Sequence, residues 1–243
     1  MNWELTPDEF LFAWEAAGFD TAPVPLSVRV SARTEAARTA DLHRLRQWHT
    51  DTVDAEFAVA LRVLAAPHTR FTGFGAHDGA VVRVLAAAQG RTGVVVRQQP
   101  AGDPEVGGGL TVSLGHAEHL ARRFVGALPE REPGRHAARR ARLADLKQRP
   151  VLPSAADSDA VVIRRILSGQ RCGIGCVVVH TRLDESAVRP DYVLSWVDIA
   201  GDGRYLVRTR EEVSLLPGDR AEFVTAVSEL VAESNAVTRI GVR

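Results

Sequence analysis

His116 and His119 stand three residues apart, the spacing that puts two imidazoles on one helix face. Such a pair can begin a transition-metal site, and with a nearby carboxylate it would serve a small metal-dependent hydrolase. Spacing supplies no third ligand, so a solvated helix start is the plainer reading. Cys172 and Cys176 are the only cysteines, and no second Cys/His cluster lies at zinc-site distance. They read as reduced thiols entering a strand. Gly107-Gly108-Gly109 lacks the Lys-Ser/Thr of a phosphate loop and reads as a flexible connection. Asp198, Asp202 and Glu212 gather around Gly201 and Gly203, where turn chemistry accounts for Asp202. Neither an EF-hand pattern, a nucleophile elbow, H-E-x-x-H nor a Cys–His arrangement is present. The expectation is a binding protein rather than an enzyme, with no catalytic residue, no metal ligand and no cofactor.

A basic stretch remains: Arg135, Arg139, Arg140, Arg142, Lys147 and Arg149. Read as a helix, it places Arg135, Arg139 and Arg142 at helical spacing, able to follow a phosphate backbone. Nucleic-acid binding is therefore a weaker alternative to the hydrolase. Across 243 residues, however, 30 Lys and Arg balance 30 Asp and Glu, so no bulk field favours nucleic acid or an anionic membrane. A solvated linker helix and no nucleic-acid partner are expected. No apolar run reaches the roughly 20 residues of a membrane span. The start, MNWELTPDEF, has no basic n-region or apolar h-region. These features set the expectation of a cytoplasmic protein without membrane insertion, a monomer or weak homodimer.

Those residues must be positioned by the elements around them. Thr6-Pro7-Asp8-Glu9 is a capped helix start, with Phe10, Leu11, Trp14 and Ala17 on one face and Gly18 as its stop. Residues 23–30 read as a short strand and 34–48 as a charged helix. Asp54 opens a helix with the stripe Phe57, Leu61, Leu64. Four strands are predicted over 68–76, 80–88, 93–99 and 110–114, then a helix over 116–128. Prolines at 129, 133, 150 and 153 mark a connector. Beyond it come a helix capped by Asp157, a strand over 173–181, a hairpin turning at Ala200–Gly203 and a strand over 213–216. The closing helix begins with Asp219 and Glu222 and buries Phe223, Val227 and Leu230. Segments 54–126 and 157–233 thus repeat one order: helix, four strands, helix. The predicted fold class is α+β: two pseudo-symmetric halves whose antiparallel sheets are flanked by helices. It is one domain over 1–243, with halves 1–128 and 154–243 joined by the connector 129–153.

The segments LTPDEFLFAWEAAGF, VPLSV, LSWVDIAGDGRYLVR and VSLLPGDRAEFVTAVSELV, in that order from about residue 3 to about 233, resemble the EspG family. Its members are cytosolic chaperones of actinobacterial type VII (ESX) secretion. The resemblance implies a pseudo-symmetric α/β fold and ATP-independent binding of PE–PPE protein pairs. The chaperone covers the apolar tip of the PPE helical bundle and keeps the substrate soluble, a reasonable remedy for an exposed apolar patch. It implies a partner surface on the central sheet and C-terminal helices. In strand 191–199, Tyr192, Leu194, Trp196 and Asp198 share a face whose mix of aromatics and an acid suits an interface. The expected partner-binding residues are therefore Leu194, Trp196, Asp198, Phe223 and Val227. His77 and Asp78 join them from the turn after the first long strand, a turn here as short as Ala76–Ala80. The opposing expectation for Trp196 is burial in the core, the usual fate of large aromatics.

Overall fold

The structure, a computed structural model, describes residues 1–147, 158–183 and 192–236. The first half runs β1 (Asn2–Leu5), α1 (Pro7–Ala16), α2 (Glu35–Thr52), α3 (Ala55–Ala65), β2 (Thr69–His77), β3 (Ala80–Gln89), β4 (Thr92–Pro100), β5 (Gly107–His116) and α4 (Leu120–Ala127). The second runs β6 (Arg139–Arg142), α5 (Leu143–Lys147), α6 (Asp159–Leu167), β7 (Arg171–Thr181), β8 (Tyr192–Ile199), β9 (Gly203–Thr209), β10 (Glu212–Pro217) and α7 (Arg220–Ala236).

The ten strands of the described residues belong to one sheet, in the order β1-β5-β4-β3-β2-β7-β8-β9-β10-β6. Exchanging β1–β5 for β6–β10 and reversing the row returns the same order, so the predicted pseudo-two-fold is present in the topology. The two expected sheets are a single one. They meet where β2 and β7 pair antiparallel from Thr69↔Thr181 to His77↔Gly173. The eight strands predicted within the two-half repeat are all found. β1 and β6, which sequence reading missed, extend the two edges at equivalent places.

Local chemistry accounts for the helix starts. Thr6 and Glu9 exchange the two bonds of a capping box, at 3.2 and 2.8 Å. Asp54 accepts from the Phe57 amide at 2.7 Å and Asp219 from the Glu222 amide at 2.8 Å. Three expectations need correcting. Residues 23–30 form no strand: Pro23 and Pro25 cannot donate to a ladder, and the chain turns at Val24–Pro25. His116 closes β5 rather than opening a helix, and a 3-10 turn, Ala117–His119, precedes α4. The basic connector is not one helix, because Arg139–Arg142 is a strand on β10. The expected cap Asp157, together with Arg149, Pro150 and Pro153, lies outside the described residues.

Three apolar clusters hold the sheet. On one face α4 and α7 cover its middle, where Phe71, Val84, Val95, Val177, Leu194, Trp196, Phe124, Phe223 and Val227 meet. This cluster takes residues from both halves. On the other face α1 and α3 cover β3, β4 and β5 through Phe10, Trp14, Phe57 and Leu61. At the opposite end α6 covers β8, β9 and β10 through Ile163 and Ile166. Among the described residues no helix is long and apolar enough to cross a membrane.

Candidate functional site

Among the described residues, no helix covers the second face over the seam of the two halves, between α3 and α6. Strand alternation and register put three rows of side chains there. Across β2, β7 and β8 they read Thr72, Val178, Val193; then Phe74, Cys176, Ser195; then Ala76, Ile174 and Val197, the last already buried in the α6 cluster. Phe74, Ile174 and Val193 are 50%, 44% and 43% exposed, apolar groups that no described helix covers. Arg83 borders them, its guanidinium 5.9 Å from the Phe74 ring centre and donating to the Pro104 carbonyl at 2.7 Å. Burial pushes the Cys176 thiol pKa up, away from the thiolate form. The strip is an apolar patch with Arg83 at its border.

Sequence reasoning did not single out Phe74 or Ile174, and the alternation of β8 sets Val193 with Ser195, Val197 and Ile199 on a face expected to be helix-covered core. α6 covers Val197 and Ile199, while Val193 stays exposed. A signal existed in β2: Phe71 and Phe74 are three residues apart, so a strand sends them to opposite faces. Phe71 is buried under α4, which leaves Phe74 on the open side.

The expected partner-binding residues fall elsewhere. Leu194, Trp196, Phe223 and Val227 are buried under α4 and α7, and Trp196 is only 1% exposed. The predicted face of β8 is real, but α7 covers it, so these groups are core and do not form an exposed surface. The Trp196 ring lies over Gly75 and Gly175, directly opposed across the seam, where a Cβ at either position would strike it. Its Nε1 is buried without a hydrogen-bond partner among the described residues.

Asp198 is fully buried too, at the centre of a polar hub. Arg204 grips it with two hydrogen bonds, Nε to Oδ1 at 2.7 Å and an amino group to Oδ2 at 2.9 Å. His77 Nδ1 lies 3.0 Å from Oδ2, and Asp78 faces the other ring nitrogen at 3.4 Å. Burial pushes the Asp198 carboxyl up. The Arg204 bonds and charge, with His77, outweigh it and hold the group below its ordinary range. Arg204 also donates to the Pro129 carbonyl at 2.7 Å. Asp202 accepts from the Arg135 amide and the Tyr205 hydroxyl, both at 2.7 Å, and the His136 amide donates to that hydroxyl at 3.1 Å. Burial and the Asp202 carboxylate push the Tyr205 phenol up to about 12. The hairpin D-x-x-x-D-G-R-Y thus clasps the start of the connector. Of the expected site residues, His77 and Asp78 alone reach the surface, at the β2–β3 turn where Asp78 has φ 47.

The other candidate chemistries disperse. His116 and His119 both contact the exposed Glu118, at 3.5 and 3.4 Å, but they leave a strand end and a 3-10 turn, not one helix face. Among the described residues no cluster of three His, Cys, Asp or Glu could hold a metal ion. The basic stretch makes no single face: strand alternation sends Arg139 to Asp159 at 3.4 Å and Arg140 to Glu212 at 3.8 Å on the opposite side. Cys172 accepts from Arg131 at 3.2 Å.

Comparison with known proteins agrees with this architecture. The structure is similar to the Mycobacterium tuberculosis type VII secretion system chaperone EspG5, solved in complex with the PE25–PPE41 dimer. The TM-score is 0.62 at 15% identity, covering 95% of this chain and 96% of that one, a likeness of fold. No curated protein matches. The EspG family profile matches residues 6–229, nearly the whole of the two-half repeat and the clasping hairpin. The chain belongs to the EspG family.

Proposed function

We propose that this protein is a cytoplasmic, ATP-independent chaperone. It binds the apolar helical tip of a PE–PPE-type pair and keeps it soluble for type VII secretion. The observation that carries the reading is the uncovered strip on β2, β7 and β8, with Phe74, Ile174 and Val193 exposed together at the pseudo-two-fold seam. A contiguous apolar patch on a soluble fold calls for a partner. Family membership and the EspG5 complex with PE25–PPE41 support the choice of partner. His77 and Asp78 stand at the β2–β3 turn at the end of the strip, with the His77 side chain turned to Asp198 on the opposite face. Leu194, Trp196, Asp198, Phe223 and Val227 hold its floor from beneath.

Co-expression with a PE–PPE pair from the same genome, followed by gel filtration, tests the function. Co-elution is expected, and failure with every such pair overturns it. Phe74→Glu tests the site separately: it should weaken client binding by about 2 kcal/mol or more, measured by titration calorimetry, and leave the melting temperature unchanged. A wild-type protein that binds, beside a Phe74→Glu variant that binds equally well, overturns the site but not the function.

A further inference from the structure

On the opposite face, outside α4, the sheet carries a concavity of about 440 Å³. Arg97 of β4, Arg122 and Arg123 of α4 and Arg220 of α7 line it, with the hydroxyls of Thr111 and Ser113 on β5. Among the described residues no carboxylate is in the lining. The acids nearest in register or sequence are outside it. Glu4 stands across the ladder from Thr111, Asp219 caps α7, and Glu118 faces His116 and His119.

The arginines are arranged for a ligand. Arg123 is fixed by bonds to the Gly93 carbonyl at 3.1 Å, the Ser113 carbonyl at 2.6 Å and the Ser113 hydroxyl at 2.9 Å. Arg97, Arg122 and Arg220 form no ion pair or hydrogen bond among the described residues. Arg220 comes from the other half of the chain and crosses α4 at Gly126, where a Cβ would meet its guanidinium. A glycine within a helix costs about 1 kcal/mol relative to alanine, and here it leaves room for that arginine. Four guanidinium groups around one concavity repel one another unless an anion is shared. In a chain of zero formal net charge this concentration is local, not a bulk bias.

We propose that this concavity binds a phosphate-bearing anion. Planar guanidinium forks match phosphate oxygens two at a time, and Thr111 adds a hydroxyl donor. The lining has no aromatic ring to stack a base, so the phosphate itself is recognised, whether free or on a lipid headgroup. The site lies across the sheet from the client strip and does not depend on that reading.

Pyrophosphate titrated calorimetrically at low salt, and co-sedimentation with phosphatidylglycerol vesicles, probe the two sources. Saturable binding that weakens as salt rises is expected. The double variant Arg97→Gln/Arg220→Gln should bind at least about tenfold more weakly, with an unchanged melting temperature because both side chains are exposed. Arg97→Lys/Arg220→Lys, which keeps the charge and loses the forks, should fall in between. Arg140→Gln/Arg142→Gln at the far edge of the sheet should bind as wild type does. Loss of pyrophosphate binding in the Gln variant assigns a free phosphate, and loss of vesicle binding alone assigns a headgroup. Binding by neither probe, or binding that the Arg97/Arg220 substitutions leave unchanged, or that Arg140/Arg142 substitutions weaken equally, overturns the proposal.

Discussion

Arg204 makes sense only with Asp198 beside it. The pair is buried, at 4% and 0% exposure, and each charge is answered by the other. Removing one partner strands the other, which typically costs about 3–5 kcal/mol. Asp198→Ala should therefore lower unfolding free energy in urea by about that much, and a fully stable variant would contradict the hub. Since folding lowers the Asp198 pKa, its contribution is complete above the unfolded carboxyl value, about 4. It is lost as pH falls through the folded value, so wild type should be acid-labile there and Asp198→Ala less so. Tyr205 has the opposite sign. Its phenol is raised to about 12 against about 10 unfolded, so its stabilisation is present below pH 10 and lost as pH rises through 12. Tyr205→Phe should cost about 1–3 kcal/mol at neutral pH and flatten that alkaline loss, as followed by circular dichroism.

At the scale of elements, the β8–β9 hairpin does two jobs. Its turn, with Gly201 at φ 72, brings Asp198, Asp202, Arg204 and Tyr205 to the connector, while its middle delivers Trp196 to the seam. The indole fits because Gly75 and Gly175 carry no side chain. Trp196→Ala should cost about 3–5 kcal/mol of stability through the cavity it leaves. Trp196→Phe should cost less, since it fills much of the space and removes a buried N–H without a partner. Thermal denaturation separates the two. An alanine variant that is stable yet blind to client would restore Trp196 as a contact residue. Gly175→Val should destabilise β2–β7 pairing, because its Cβ would meet the indole and leave neither strand room to keep register.

The whole molecule is a sheet shared by two half-motifs and a central cluster drawn from both. Neither half covers that cluster alone. We expect a single urea transition with coincident fluorescence and far-UV signals, and a separately expressed 1–128 fragment that stays unfolded. Two resolved transitions would mean independent halves. Much of this architecture was legible in sequence. Period-two runs marked eight strands, Thr6, Asp54 and Asp219 marked helix starts, and the repeated order implied the pseudo-symmetry, because those signals are local or depend only on chain order. The short edge strands β1 and β6 carry too few alternations to register, and Arg139–Arg142 looks helical until β10 supplies its ladder. Sequence also identified the two faces of β8 but read the 193–199 set as the helix-covered one, whereas α7 covers the other face and only Val197 and Ile199 of this set lie under α6. Residues 192, 194, 196 and 198 would suit either a surface or a core, and α7 settled it by packing on them. Tertiary structure alone left Phe74, Ile174 and Val193 uncovered, since exposure depends on which distant helix reaches a strand, and that is set by the seam between the halves.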